Sequence, residues 1–141
     1  MPRKTDSSNP ADWLWIAAGD LSVIRLALAP EVGFGTCRGK LAEVLEKVLK
    51  AELIRLGWPL ERTHDLNRLA EAMLEYGSPL AAAAVPACQA LAEVYFTDRY
   101  PGFDIDDPDW PALRQQVEQV AGLLEAVKAG LPSGPSQGGG A

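Results

Sequence analysis

Apolar positions along this chain recur every three or four residues, and that spacing selects helix over strand wherever it persists. In the first periodic stretch Trp13, Ile16, Ala17, Leu21, Ile24 and Leu28 share one face. Asn9 offers an N-cap, and Pro10 offers a first-turn residue whose missing N–H costs nothing. A helix is therefore predicted from Pro10 to about Ala29, with Pro30 and Gly33 ending it. A second helix opens near Thr36 and carries Leu41, Val44, Leu45, Val48 and Leu49 as its buried stripe. It closes at Gly57, suited to a left-handed C′ position, followed by apolar Trp58 and then Pro59, the pattern of a Schellman-type stop. Glu43 with Lys47 and Glu46 with Lys50 form i,i+4 pairs in the favourable order, each worth about 0.2–0.5 kcal/mol on what reads as a solvated face.

The third helix begins with Thr63 as N-cap and Asp65 in its first turn, near the positive end of the helix dipole. Leu66, Leu69, Met73 and Leu74 form its buried stripe, and Gly77 stops it. Ser78 and Pro79 restart the chain as another N-cap and first-turn pair, leading a fourth helix to about Asp98. Pro86 either kinks that helix or marks its true start, because proline disfavours helical geometry at Val85. After the loop "RYPGFDIDDPDW" a fifth helix runs from about Asp109 to Ala129, with Leu113, Val117, Val120, Leu124 and Val127 inward. There is no internal repeat and no alternating pattern bounded by hairpin turns. The expected fold is all-α, an up-and-down bundle of about five helices over residues 10–130. A polar segment at 1–9 and a Gly/Ser/Pro-rich tail at 131–141 flank it and are expected to be disordered.

At 141 residues, 48% hydrophobic and 23% charged, the chain fits one domain with a real core. Thirteen Lys and Arg against nineteen Asp and Glu leave a formal charge of -6, a field that repels polyanions and disfavours RNA as a partner. No apolar run reaches the length of a membrane span and the first residues lack the pattern of a secretory signal, so the expected address is the cytoplasm. Cys37 and Cys88 have no C-x-x-C spacing and no nearby His, so they read as small buried hydrophobes rather than metal or redox groups. The acids of "DIDDPD" lack the glycine and glutamate of a calcium loop. No metal and no cofactor is expected.

A strictly alternating bundle would gather at one pole Trp13 and Trp15, Arg55 and Trp58, Arg62, His64 and Asp65, Tyr95, Arg99 and Tyr100, and finally Asp106, Asp107, Asp109 and Trp110. Two readings of that pole stay open. Tryptophans seal bundle ends by packing on loop prolines, and they also line ligand or partner surfaces. His64, the only histidine, is either an acid–base group or a first-turn residue that orients a neighbouring loop.

The stretches "EKVLKAELIRLGWPLERTHDLNRL" and "LAEVYFTDRYPG" resemble, in order and spacing, the HEPN domain (higher eukaryotes and prokaryotes nucleotide-binding). Its members show an E-K-x-L-K helix, a T-H-D-L helix start and an R-Y-P turn. The resemblance covers roughly residues 10–130. It implies a helical bundle that dimerises and is encoded beside a small nucleotidyltransferase of the minimal type. Carried over by position, Lys47, Lys50, His64, Asp65, Arg99 and Tyr100 match the family pattern, and Trp58 joins them as a candidate for ligand or partner binding. Ribonuclease toxins of the family carry an Arg separated from a His by four to six residues. Here the corresponding positions are Gly57, Trp58 and Pro59, so that site cannot be assembled in its usual form, and Ala42 and Glu43 stand where many relatives have two glutamines. The expectation is a non-catalytic module that dimerises and binds a cognate nucleotidyltransferase, a nucleotide, or both, as in a toxin–antitoxin pair. The alternatives are an RNA-cleaving toxin with an atypical site built on His64 and Arg99, and a plain helical interaction protein.

Overall fold

The computed structural model describes residues 7–94 and 107–131. Among them five helices and no strand are found: α1 (Pro10–Leu28), α2 (Phe34–Arg55), α3 (Leu66–Glu75), α4 (Ala81–Leu91) and α5 (Trp110–Gly130). This is the all-α bundle that the periodicity predicts. Tyr95, Arg99, Tyr100, the expected helix end at Asp98 and Asp106 of the acidic loop lie outside the described residues, as do 1–6 and 132–141 of the two terminal segments. Ser7 is tied to α1: its hydroxyl donates to Asp12 Oδ2 at 2.6 Å and its carbonyl accepts from Trp13 Nε1 at 2.8 Å.

The helix ends follow local chemistry. Asn9 caps α1 by accepting from the Ala11 amide. The α2 stop is a full Schellman motif, with Trp58 N donating to Leu53 O at 2.9 Å and Gly57 N to Ile54 O at 3.0 Å, and Gly57 at φ +94°. The end of α1 repeats that bonding with a residue other than glycine at the left-handed position. Val32 N donates to Ala27 O and Glu31 N to Leu28 O, both at 3.1 Å, while Glu31 takes φ +57°. Arg114 of α5 holds this turn, donating to Glu31 Oε2 and to Leu28 O, each at 2.6 Å.

Several expectations are corrected. The N-cap of α3 is Asp65, not Thr63: the Asp65 carboxylate accepts from the Asn67 and Arg68 amides at 3.0 and 3.3 Å, and Thr63 Oγ1 accepts from Asp65 N. A carboxylate at this position also meets the helix dipole, which a hydroxyl does not. Leu74 is exposed, and Ala70 and Ala72 join Leu66, Leu69 and Met73 in the core. Helix α4 begins at Ala81, with Pro86 inside it, so Pro86 is not its start. Helix α2 starts at Phe34, two residues before Thr36, on a left-handed Gly33.

Helix α2 is the centre of the bundle and packs against all four others. Burial over most of its circumference explains why its inward residues include Glu46, Lys50 and Glu52 as well as Leu41, Leu45, Leu49 and Leu53. The segment 56–65 folds back along α2, so α3 starts beside Ala42 and Glu46 and ends near Glu52, where Ser78 Oγ donates to Glu52 Oε2 at 2.6 Å. The sorting by pole fails at α5. Trp110, at its start, stands edge-on to Phe34 at the start of α2, with centroids 5.3 Å apart, and Arg25 near the end of α1 pairs with Glu118 at 2.7 Å.

Glu52 is the deepest charge. Burial pushes its carboxyl up, but hydrogen bonds from Arg55 (Nε and Nη2, both 2.9 Å) and Ser78, with the charge of Arg55, outweigh that and hold it below its ordinary value. A folded-state value below the unfolded one means stability present above the ordinary glutamate pKa of about 4.3 and lost as pH falls through the lowered value. Urea titrations should therefore show Ser78→Ala losing about 1.5–3 kcal/mol near neutrality. Glu52→Gln should flatten the acid limb of stability against pH. The Cys88 thiol is pushed up to about 12 by burial and Cys37 is raised for the same reason, so a thiol reagent should label both only at the rate of unfolding.

Candidate functional site

The site is built around one carboxylate. Glu46 lies on the inner face of α2, and both its oxygens are engaged. Lys50, one turn on, donates from Nζ to Oε2 at 2.9 Å, and His64 Nδ1 lies 3.0 Å from Oε1. The sequence suggests a solvated lysine pair at this point. Instead Glu46 and Lys50 are both buried, and the Lys50 ammonium sits 5.4 Å from the centroid of the Trp13 ring. A buried ammonium is tolerable because one face meets a carboxylate and another meets an indole π-face.

His64 occupies the rim. Its side chain is 59% exposed, although its Nδ1 reaches a carboxylate that is nearly closed off. An ionised carboxylate only accepts, so Nδ1 carries the proton towards Glu46 in the neutral ring. Beside the imidazole lies a shallow cleft lined by Ala42, Glu43, Glu46, His64, Leu66, Leu91 and Ala92. Elements α2, α3, the end of α4 and the returning segment all contribute to it.

The candidate residues from the sequence sort as follows. His64 and Lys50 share Glu46, one at the surface and the other inside. Lys50 is too deep to meet a ligand in this arrangement and serves the pair with Glu46. Asp65 is beside His64 in sequence and is occupied as the cap of α3. Lys47 is half-buried on α2, while Glu43 pairs with Lys40 at 3.3 Å. Trp58 is buried as the C″ residue of the Schellman stop and its Nε1 has no hydrogen-bond partner among the described residues, so it offers no surface for stacking. Of the other tryptophans, Trp13 is buried, Trp110 is half-buried against Phe34, and Trp15 is exposed. Arg99 and Tyr100 lie outside the described residues. Glu46 was missed as a site residue. The signal that could have found it is the breadth of the apolar stripe, which leaves the strip of Thr36, Lys40, Glu43 and Lys47 turned outward and places Glu46 at its edge.

Arg68, on α3, donates to Glu61 at 3.2 Å and so ties the returning segment to the helix that follows it. No group of three His, Cys, Asp or Glu side chains able to hold a metal occurs among the described residues. No helix there is long and apolar enough to cross a membrane.

Removing one member of a buried pair strands the other. Lys50→Met should cost about 3–5 kcal/mol in urea unfolding, whereas Glu46→Leu combined with Lys50→Met should recover most of the loss. Additive losses in the double variant would show that the two side chains do not act as a pair.

Comparison with protein families finds that the model of the HEPN domain matches residues 11–129. Comparisons with curated proteins and with solved structures return no match.

Proposed function

The chain belongs to the HEPN domain family, and we propose that it is a non-catalytic member that dimerises and binds a nucleotide, a cognate minimal nucleotidyltransferase, or both, in a toxin–antitoxin-like pair. The observation that carries this reading is the Glu46–His64 pair, in which a buried carboxylate orients an exposed imidazole at the mouth of a cleft. Such a ring is held in a set direction, and an imidazole nitrogen accepts from a ribose hydroxyl when neutral and donates to a phosphate oxygen when protonated. The cleft is shallow, with room for about one water molecule, so a nucleotide or a protein partner would rest over it rather than enter it. Arg99 and Tyr100, which match the family pattern in sequence, would add a guanidinium for phosphate and a ring for stacking.

The absence of catalysis is argued from residues 57–59. Where ribonuclease relatives need an arginine, this chain has Gly57, Trp58 and Pro59, and the Trp58 side chain is buried under the helix stop. The overall charge of -6 also opposes RNA. One observation favours a second reading, an atypical RNA-cleaving toxin: a carboxylate behind a histidine is the arrangement that general-base catalysis uses.

Thermal melts separate the two. AMP or ATP should raise the Tm of the wild-type chain and not that of His64→Ala, whose own Tm without nucleotide should be lower because Glu46 Oε1 loses its donor. Co-expression with a neighbouring nucleotidyltransferase should yield a complex that His64→Ala or Arg99→Ala weakens. If no nucleotide shifts the melt and no nucleotidyltransferase co-purifies, the binding reading fails. Cleavage of tRNA or mRNA by the wild type that disappears in His64→Ala would establish the second reading instead.

A further inference from the structure

One side of α1 has no partner among the described residues. Trp15, Val23 and Leu26 are 80%, 64% and 77% exposed. With Ala18, Gly19 and Ser22 they make an outward stripe at helical spacing, opposite the buried Trp13, Ala17, Leu21, Ile24 and Leu28. None of the six stripe positions carries a charge, in a chain with 32 charged side chains counting 13 basic and 19 acidic. A face this apolar is a contact surface more often than a solvated one.

We propose that this stripe is the interface between two copies of the chain, with their α1 helices packed antiparallel about a two-fold axis level with the Asp20–Leu21 bond. The proposal deepens the dimer part of the functional reading and rests on it. The stripe is self-complementary in the way a two-fold contact demands. About that axis Trp15 of one copy faces Leu26 of the other, Ala18 faces Val23, and Gly19 faces Ser22. Bulky residues thus lie towards the ends and the smallest lie at the crossing, where two helix backbones come closest.

Three further observations fit a second α1 helix there. A glycine inside a helix weakens it, yet a Cβ built on Gly19 meets nothing within 4 Å in the chain, so packing inside the monomer does not require glycine. A helix crossing at that point would. Ser22, the one hydroxyl on the stripe, already donates to Ala18 O at 3.0 Å, so removing it from water leaves no unmet donor. Each copy carries -6, so two copies repel one another through most of their surface. An uncharged stripe brings the fewest like charges together.

Sedimentation equilibrium on the full chain tests the assignment, with circular dichroism confirming that each variant is folded. The wild type should be a dimer, and Leu26→Glu and Gly19→Gln should each raise the dimer Kd at least about tenfold. Gly122→Gln is the control, because Gly122 on α5 has equally open space around it, and it should leave the Kd unchanged. A dimer indifferent to both α1 variants would overturn the stripe as the interface while leaving dimerisation in place. A wild type that sediments as a monomer throughout would overturn both, and would turn the stripe towards a different protein.

Discussion

The structure depends on the fact that its central helix carries charge. Because α2 touches every other helix, only a narrow strip with Lys40, Glu43 and Lys47 is left partly open, and Glu46, Lys50 and Glu52 are enclosed with the leucines. Burial of a charge is costly unless it is paired and hydrogen-bonded. Each of the three therefore dictates something about its surroundings. Lys50 requires Glu46 and rests on Trp13, which ties α1 to α2 near the start of the chain. Glu52 requires Arg55 and Ser78, which fixes the turn between α3 and α4 against the end of α2. The second oxygen of Glu46 requires a donor from outside the helix, and His64 supplies it.

On the proposed reading, stability and recognition are two uses of one carboxylate. Oε2 serves the interior through Lys50, and Oε1 serves the surface by setting the imidazole. The imidazole is consequently held in one orientation without being buried, a combination that a histidine on an ordinary exposed helix would lack. Its direction is set by α2, although its backbone belongs to the connection between α2 and α3.

Much of the fold was legible in the sequence because helix starts and stops are local events. Asn9 before Pro10, Gly57 before Trp58, Gly77 after Tyr76 and Asp109 before Trp110 all punctuate the chain where the structure does. The site was less legible. Periodicity marks which side of a helix is apolar, but it does not report that a helix is surrounded, so Glu46 and Lys50 read as a surface pair. The pole assembled from strict alternation placed Trp110 with His64, while packing put Trp110 beside Phe34 instead. His64 itself was recognisable by its type and by family resemblance. Its partner was not, because the contact spans eighteen residues and depends on the direction of a connection that carries no periodic signal.

The returning segment between α2 and α3 has a thermodynamic consequence of its own. Its fastenings include the Trp58 indole under the helix stop, Leu60 against the core, the Glu61 carboxylate on Arg68, and the His64 ring on Glu46. None of these is a backbone ladder, so its opening free energy is set by side-chain contacts, and it forms a local unit that can exchange more readily than the helices it joins. The His64 wall of the cleft belongs to that unit. Whatever occupies the cleft is thereby linked by mass action to closure, and slower amide exchange at residues 60–65 on binding is the form in which the linkage would be visible.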